Sequence, residues 1–129
     1  MQLLNPPHWK AAKGYANGVI AQGQQIFVGG QIGWNQDQIF EAQDFIGQCE
    51  QALMNIVEVL AQANAKPEHL VRLTWYVVDK QVYLQQQKAL GDVYRKVIGR
   101  HFPAMTMVQV ADLIEEQALV EIEATAVIS

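Results

Sequence analysis

Two glutamates, Glu121 and Glu123, stand two residues apart in an otherwise apolar run, so a strand there turns both carboxylates to one face. A carboxyl group sheltered by apolar neighbours is a useful proton shuttle, which makes either acid a candidate catalytic group. The same pair would serve equally to face solvent or to hydrogen-bond across a subunit contact, and both readings stay open. Arg72 and Arg100 are candidate anion ligands. Arg100 precedes His101 at a helix exit, where a cation also satisfies the helix dipole. Trp34 and Tyr76 are large aromatics suited either to a pocket wall or to a subunit interface. His8, His69 and His101 share no metal-ligand spacing. Gly29-Gly30 is no phosphate loop, because no helix begins there and no Lys-Ser/Thr follows. Cys49 lies within a helical apolar pattern and reads as a packed core thiol rather than a nucleophile.

These groups need elements to position them. Residues 15–23 and 26–28 read as a hairpin that turns at Gly23-Gln24-Gln25. A helix is predicted over residues 41–63, because Phe45, Cys49, Leu53, Ile56 and Leu60 recur at three- and four-residue steps. Gln43, Gln48, Gln51 and Glu58 occupy the remaining helix surface, and Pro67 stops the run. Residues 70–78 read as a strand with Val71, Leu73, Trp75 and Val77 on one face. Asp79 reads as the N-cap of a second helix reaching residue 98, with Tyr83, Gln87, Leu90, Tyr94 and Val97 in register. Two last strands, near residues 105–110 and 119–128, are joined by an acidic turn at residues 112–117.

The expected order is β-β-α-β-α-β-β. It predicts an α+β fold in which sequence-adjacent hairpins form a mixed sheet with both helices packed on one face. The opposite sheet face is expected to keep apolar residues, which oligomerisation would cover.

Composition narrows the function classes. The 129 residues fit one domain, 1–129, and half of them are hydrophobic while 17% are charged. Nine Lys and Arg are scattered among thirteen acids for a net charge of −4, without a basic run. Nucleic-acid binding draws on clustered cations, so this balance argues against a nucleic-acid partner. No apolar run approaches the roughly 20 residues that span a bilayer. The start, Met1-Gln2-Leu3-Leu4-Asn5-Pro6-Pro7, lacks the basic beginning and apolar core of a signal peptide, and the cytoplasm is the expected compartment.

Several short motifs occur in a telling order. They are Gly14-Tyr15 with Gly18, Val28-Gly29-Gly30-Gln31-Ile32, and Thr74-Trp75-Tyr76-Val77-Val78-Asp79. Tyr94 and the runs Phe102-Pro103-Ala104-Met105-Thr106-Met107-Val108 and Val120-Glu121-Ile122-Glu123-Ala124-Thr125-Ala126 complete the set. Together they resemble the RidA family, also called YjgF or UK114, over nearly the whole chain.

The resemblance implies a chorismate-mutase-like fold and a homotrimer with sheets forming an inner barrel and helices outside. It implies hydrolysis of a small imine or enamine to a ketone and ammonia in an intersubunit cleft, with no metal and no organic cofactor. It further implies that Glu121 positions or activates water and that backbone groups near Gly30 and Met107 hold the ligand. Tyr15 would close the pocket from the neighbouring subunit, and Tyr94 matches the tyrosine of the second helix.

The chain departs from the family pattern at Met105, where an arginine usually clamps the substrate carboxylate, and also at Gly29 and Ile114. Two roles follow. One is a hydrolase for a substrate other than the usual 2-imino acids, with Met105 as an apolar wall. The other is a non-catalytic protein that binds a small molecule or a protein partner on the same trimeric scaffold.

Overall fold

The fold described here is a computed structural model covering residues 1–129. Its strands are β1 (Gln2–Leu3), β2 (Val19–Ile20), β3 (Gln24–Ile32), β4 (Leu70–Val77), β5 (Ala104–Gln109) and β6 (Val120–Ile128). Its helices are α1 (Phe45–Ala61), α2 (Lys80–Gln85) and α3 (Gln87–Val97), with a single 3-10 turn at Pro67–His69. The main sheet has the order β3-β6-β4-β5. β6 runs antiparallel to both its neighbours, whereas β4 and β5 are parallel. Parallel neighbours require a crossover, and α2 and α3 provide it. The fold is thus α+β, a mixed sheet with its helices on one side, as expected.

The core forms between that side of the sheet and the helices. β6 buries Val120, Ile122, Ala124 and Ala126 and turns Glu121, Glu123 and Thr125 to the opposite side. α1 buries Phe45, Cys49, Leu53, Ile56 and Leu60 against them, the stripe that its periodicity predicts. Asp44 caps α1 by accepting the Gly47 N–H at 3.2 Å, so the helix starts at Phe45 rather than residue 41. The turn after it closes at Asn64, which holds a left-handed φ of 56°, while the Ala65 N–H reaches back to the Leu60 carbonyl at 3.0 Å. Cys49 is fully buried and free, and burial raises its thiol far above the ordinary range.

Five expectations are corrected. The hairpin of residues 15–23 with β3 is absent. Only Val19–Ile20 of that segment is a strand, and it pairs with β1 in a separate ribbon. Asn17, Gly18 and Gly23 leave little to pack as a strand, whereas β6 offers β3 a partner of equal length. The two last strands are not neighbours either, since β4 lies between them.

The second helix breaks in two at Gln86, whose φ of −125° and ψ of 25° leave the helical region. Finally, the sheet face turned away from the helices is mainly polar. It carries Arg72, Thr74, Tyr76, Thr106, Glu123 and Thr125 beside the exposed Phe27. A shift of pairing between Leu70 and Arg72 also moves Leu70, rather than Val71, into the core.

Candidate functional site

A cleft of about 420 Å3 opens beside β5 on the helix side of the sheet. Met105 and Met107 project into it from β5, and Tyr94 enters from α3. The alternation of a strand explains the pair: residues two apart share a face, and Thr106 between them lines the other side. Tyr94 is fixed firmly. Its hydroxyl donates to the His101 carbonyl at 2.6 Å, and its ring stacks on Phe102 at 5.3 Å and tilts against Trp75 at 6.5 Å. Burial raises the Tyr94 phenol well above its ordinary value, so it stays protonated and serves as a wall. His101 in turn donates from Nε2 to the Leu70 carbonyl at 2.7 Å, which ties the exit of α3 to β4.

Tyr15 reaches the same cleft from its own chain. The Ala16 N–H donates to the Pro103 carbonyl at 3.0 Å, and Ala16 bridges to Ala104, which lays the segment along β5. Within one chain, therefore, Tyr15 already closes the cleft that Met105 and Met107 line. The implied arrival of Tyr15 from a neighbour is not needed for that contact.

Glu121 and Gly30 lie elsewhere. β3 carries Gly29 and Gly30 opposite a single residue of β6, because pairing resumes at Gln31–Ile122 after Val28–Ala124. This bulge lets the Glu121 carboxylate lie over Gly30, and a Cβ at that position would collide with it. Both residues sit across β4 from β5, and Glu121 points to the face away from the methionines. A single chain thus gathers Tyr15, Tyr94, Met105 and Met107 at one place and Glu121 with Gly30 at another. Gly30→Ala is expected to swing the Glu121 carboxylate aside at a cost below about 1 kcal/mol, because only the far end of a flexible side chain must move. A urea midpoint close to native at unchanged slope is the measurement that checks it.

The other sequence candidates are placed as follows. Arg72 lies with Thr74, Tyr76, Thr106 and Glu123 around a second cavity of about 650 Å3 on the polar sheet face. The Tyr76 hydroxyl donates to Glu123 at 2.7 Å, and that bond raises the phenol above its usual value. Arg100 is exposed and lines neither cavity. Trp34 packs on Phe40 at 5.9 Å, and its carbonyl accepts from the Asn55 side chain at 2.8 Å.

Two residues escape the sequence reading. Arg95, one position beyond Tyr94, lines the cleft together with Lys13. Gly91 one turn earlier leaves room for the guanidinium on that helix face. Gln48, assigned to the polar surface of α1, is fully buried. Only its position beside Cys49 and Ala52, inside the densest part of the helix, hints at that.

The chain belongs to the Endoribonuclease L-PSP family, the RidA/YjgF/UK114 group, whose model it matches over residues 6–128. It is 31% identical over 128 residues to the 2-iminobutanoate/2-iminopropanoate deaminase of Capra hircus, covering 98% of this chain and 89% of the relative. The Rid-family protein YyfB of Yersinia pestis superposes with a TM-score of 0.88 at 30% identity, over 98% of each chain. E. coli TdcF with bound serine superposes with a TM-score of 0.70 at 27% identity, over the whole of both chains.

Proposed function

We propose that this protein hydrolyses an imine, enamine or related C–N compound in a cleft completed by a second copy of the chain, within a homotrimer. The observation that carries the reading is the split of the site. Four candidate residues line one cleft, while Glu121 and Gly30 face outward from the far side of the sheet. A neighbouring copy that brings its Glu121 and Gly30 to this cleft reunites them. β5 supports the arrangement, because as an edge strand it leaves backbone N–H and C=O groups near Met107 free to hold a ligand. The goat relative's activity and the serine held by TdcF favour a small-molecule site of this kind.

In the proposed reaction Glu121 takes a proton from water as the water oxygen adds to the imine carbon. Glu121 passes that proton to the nitrogen, and as the C–N bond breaks the hydroxyl proton follows the same way, so that ammonia leaves and the carbon becomes a carbonyl. Water supplies the oxygen, so no oxidant or reductant enters the balance. Met105 offers an apolar wall where a carboxylate clamp would stand, which points away from the short 2-imino acids.

The test is ammonia release by the purified protein across a panel of imines and enamines. Release from at least one member, with poor use of 2-iminobutanoate, is the expected result. Silence across the panel, together with thermal stabilisation by a small ligand, would support a binding protein instead, a reading that Met105 favours. Met105→Arg separates the two. It is expected to raise 2-iminobutanoate turnover at least about tenfold, because a bidentate clamp on a sheltered carboxylate contributes several kcal/mol. No gain, in a variant with a normal melting temperature, means that more than the clamp has been lost.

A further inference from the structure

Of the three arginines in the chain, one reaches the methionine-lined cleft. Arg95 lines it from α3, and Lys13 lines it from the segment before Tyr15, while no aspartate or glutamate is among its lining residues. Arg72 shares its own cavity with Glu123, on the other side of the sheet, and Arg100 borders neither space. The cleft lining therefore carries two cations and no acid, in a chain whose net charge is −4.

The placement of the Arg95 head is specific. Gly91, one helical turn earlier, presents only backbone, and a methyl there would lie 3.3 Å from Nη1 and 3.6 Å from Nη2. The guanidinium thus lies across the bare helix surface instead of extending into solvent. Asp92 accepts from Nη2 at 2.7 Å, and the Arg95 side chain is 40% exposed. One anchored N–H leaves the other donors of the fork available to a ligand. Beside this charge stand Trp75, Phe102 and Tyr94, an apolar and aromatic wall.

We propose that Arg95 is the anion-binding residue of this cleft and that the ligand is a carboxylate carried on an apolar or aromatic body. The inference rests on the cleft being the ligand site, as proposed above, and it names the substrate class for that site. Because the charge is supplied by α3 rather than by position 105 of β5, the carboxylate is held at a different place relative to the reacting carbon. Substrates whose carboxylate adjoins the imine are disfavoured, and those that carry it farther along the molecule are accepted. The cleft volume of about 420 Å3 suits a ligand of that size.

The experiment compares phenylacetate with its neutral isostere phenylacetamide, titrated calorimetrically into the native protein, Arg95→Ala, Arg95→Gln and Arg72→Ala. The native protein is expected to prefer the carboxylate by about tenfold or more, as a charge-assisted hydrogen bond provides. The preference should fall to about one in Arg95→Ala and stay intact in Arg72→Ala. Arg95→Gln keeps a polar side chain that favours the helix but removes the charge, and it should lose the preference in the same way, which covers a failure of the alanine variant to fold.

A native preference near one, or a preference unchanged by both Arg95 variants, overturns the assignment. The imine panel is scored separately. Carboxylate preference without ammonia release refutes the hydrolase and leaves Arg95 assigned, while release without carboxylate preference does the reverse.

Discussion

Glu121→Gln leaves the fold intact and lowers ammonia release by at least about 100-fold, the range expected when a positioned proton acceptor is removed. The substitution keeps the shape and length of the side chain. Its contact with Gly30 survives, because an amide occupies nearly the same space as the carboxylate that lies over the bulge. Glu121 takes part in neither ion pair of the chain, so its loss releases no buried partner charge. The melting temperature is therefore expected to stay within a few degrees of the native value, and only turnover should change. Glu123→Gln is the internal control. Glu123 is engaged by the Tyr76 hydroxyl on the polar face, and its replacement should leave turnover within about threefold of native. Equal losses in the two variants would mean that the pair acts through the electrostatics of the face, not through one proton acceptor.

Gln48→Leu is expected to lower stability by about 2–4 kcal/mol, the largest structural effect among these substitutions. Gln48 is wholly buried in α1 and satisfies three backbone groups of other segments. Its Nε2 donates to the Ala42 carbonyl at 3.2 Å and to the Gln117 carbonyl at 3.0 Å. Its Oε1 accepts the Leu119 N–H at 2.8 Å. Leucine has nearly the right volume, so packing is largely kept, but one N–H and two carbonyls lose their partner inside the protein. Gly33 packs directly on the Gln48 side chain, which leaves little room for a water to replace it. Urea unfolding checks the figure as a reduced midpoint. A cost below about 1 kcal/mol would mean that the segment entering β6 is held by other contacts.

Much of the architecture is legible in the sequence because local physics repeats there. The alternation of Val120, Ile122, Ala124 and Ala126 gives β6 and its buried face, and the Phe45-to-Leu60 stripe gives α1. What periodicity does not encode is which strand lies beside which. Residues 105–110 and 119–128 read as adjacent strands, yet β4 separates them, since neighbour choice is decided by packing and crossover geometry. Gln48 misleads because a glutamine in a helix is ordinarily solvated, and only the arrival of Gln117 and Leu119 makes a buried amide favourable.

The candidate site follows the same division. Tyr15, Tyr94, Met105 and Met107 line one cleft of a single chain, although the motifs place Tyr15 at a neighbour's cleft, and Arg95 escapes notice because its placement depends on the vacancy above Gly91. Glu121 and Gly30 share one contact that strand spacing alone does not foretell, since it needs the bulge in β3.

The position of β6 between β3 and β4 also governs when the molecule can assemble. On the ribosome, β3 is made early and β4 midway, yet the strand that joins them is synthesised only after α2, α3 and β5. A nascent chain that stops short of β6 leaves β3 unpaired and β4 paired on one side alone, and it lacks the strand that brings Val120, Ile122, Ala124 and Ala126 to the core. Such contacts between distant parts of a chain are slow to form and favour collapse onto wrong partners in the interval. Synthesis therefore sets the earliest moment of folding, and the sheet closes only once Ile128 has left the exit tunnel to meet Gln24.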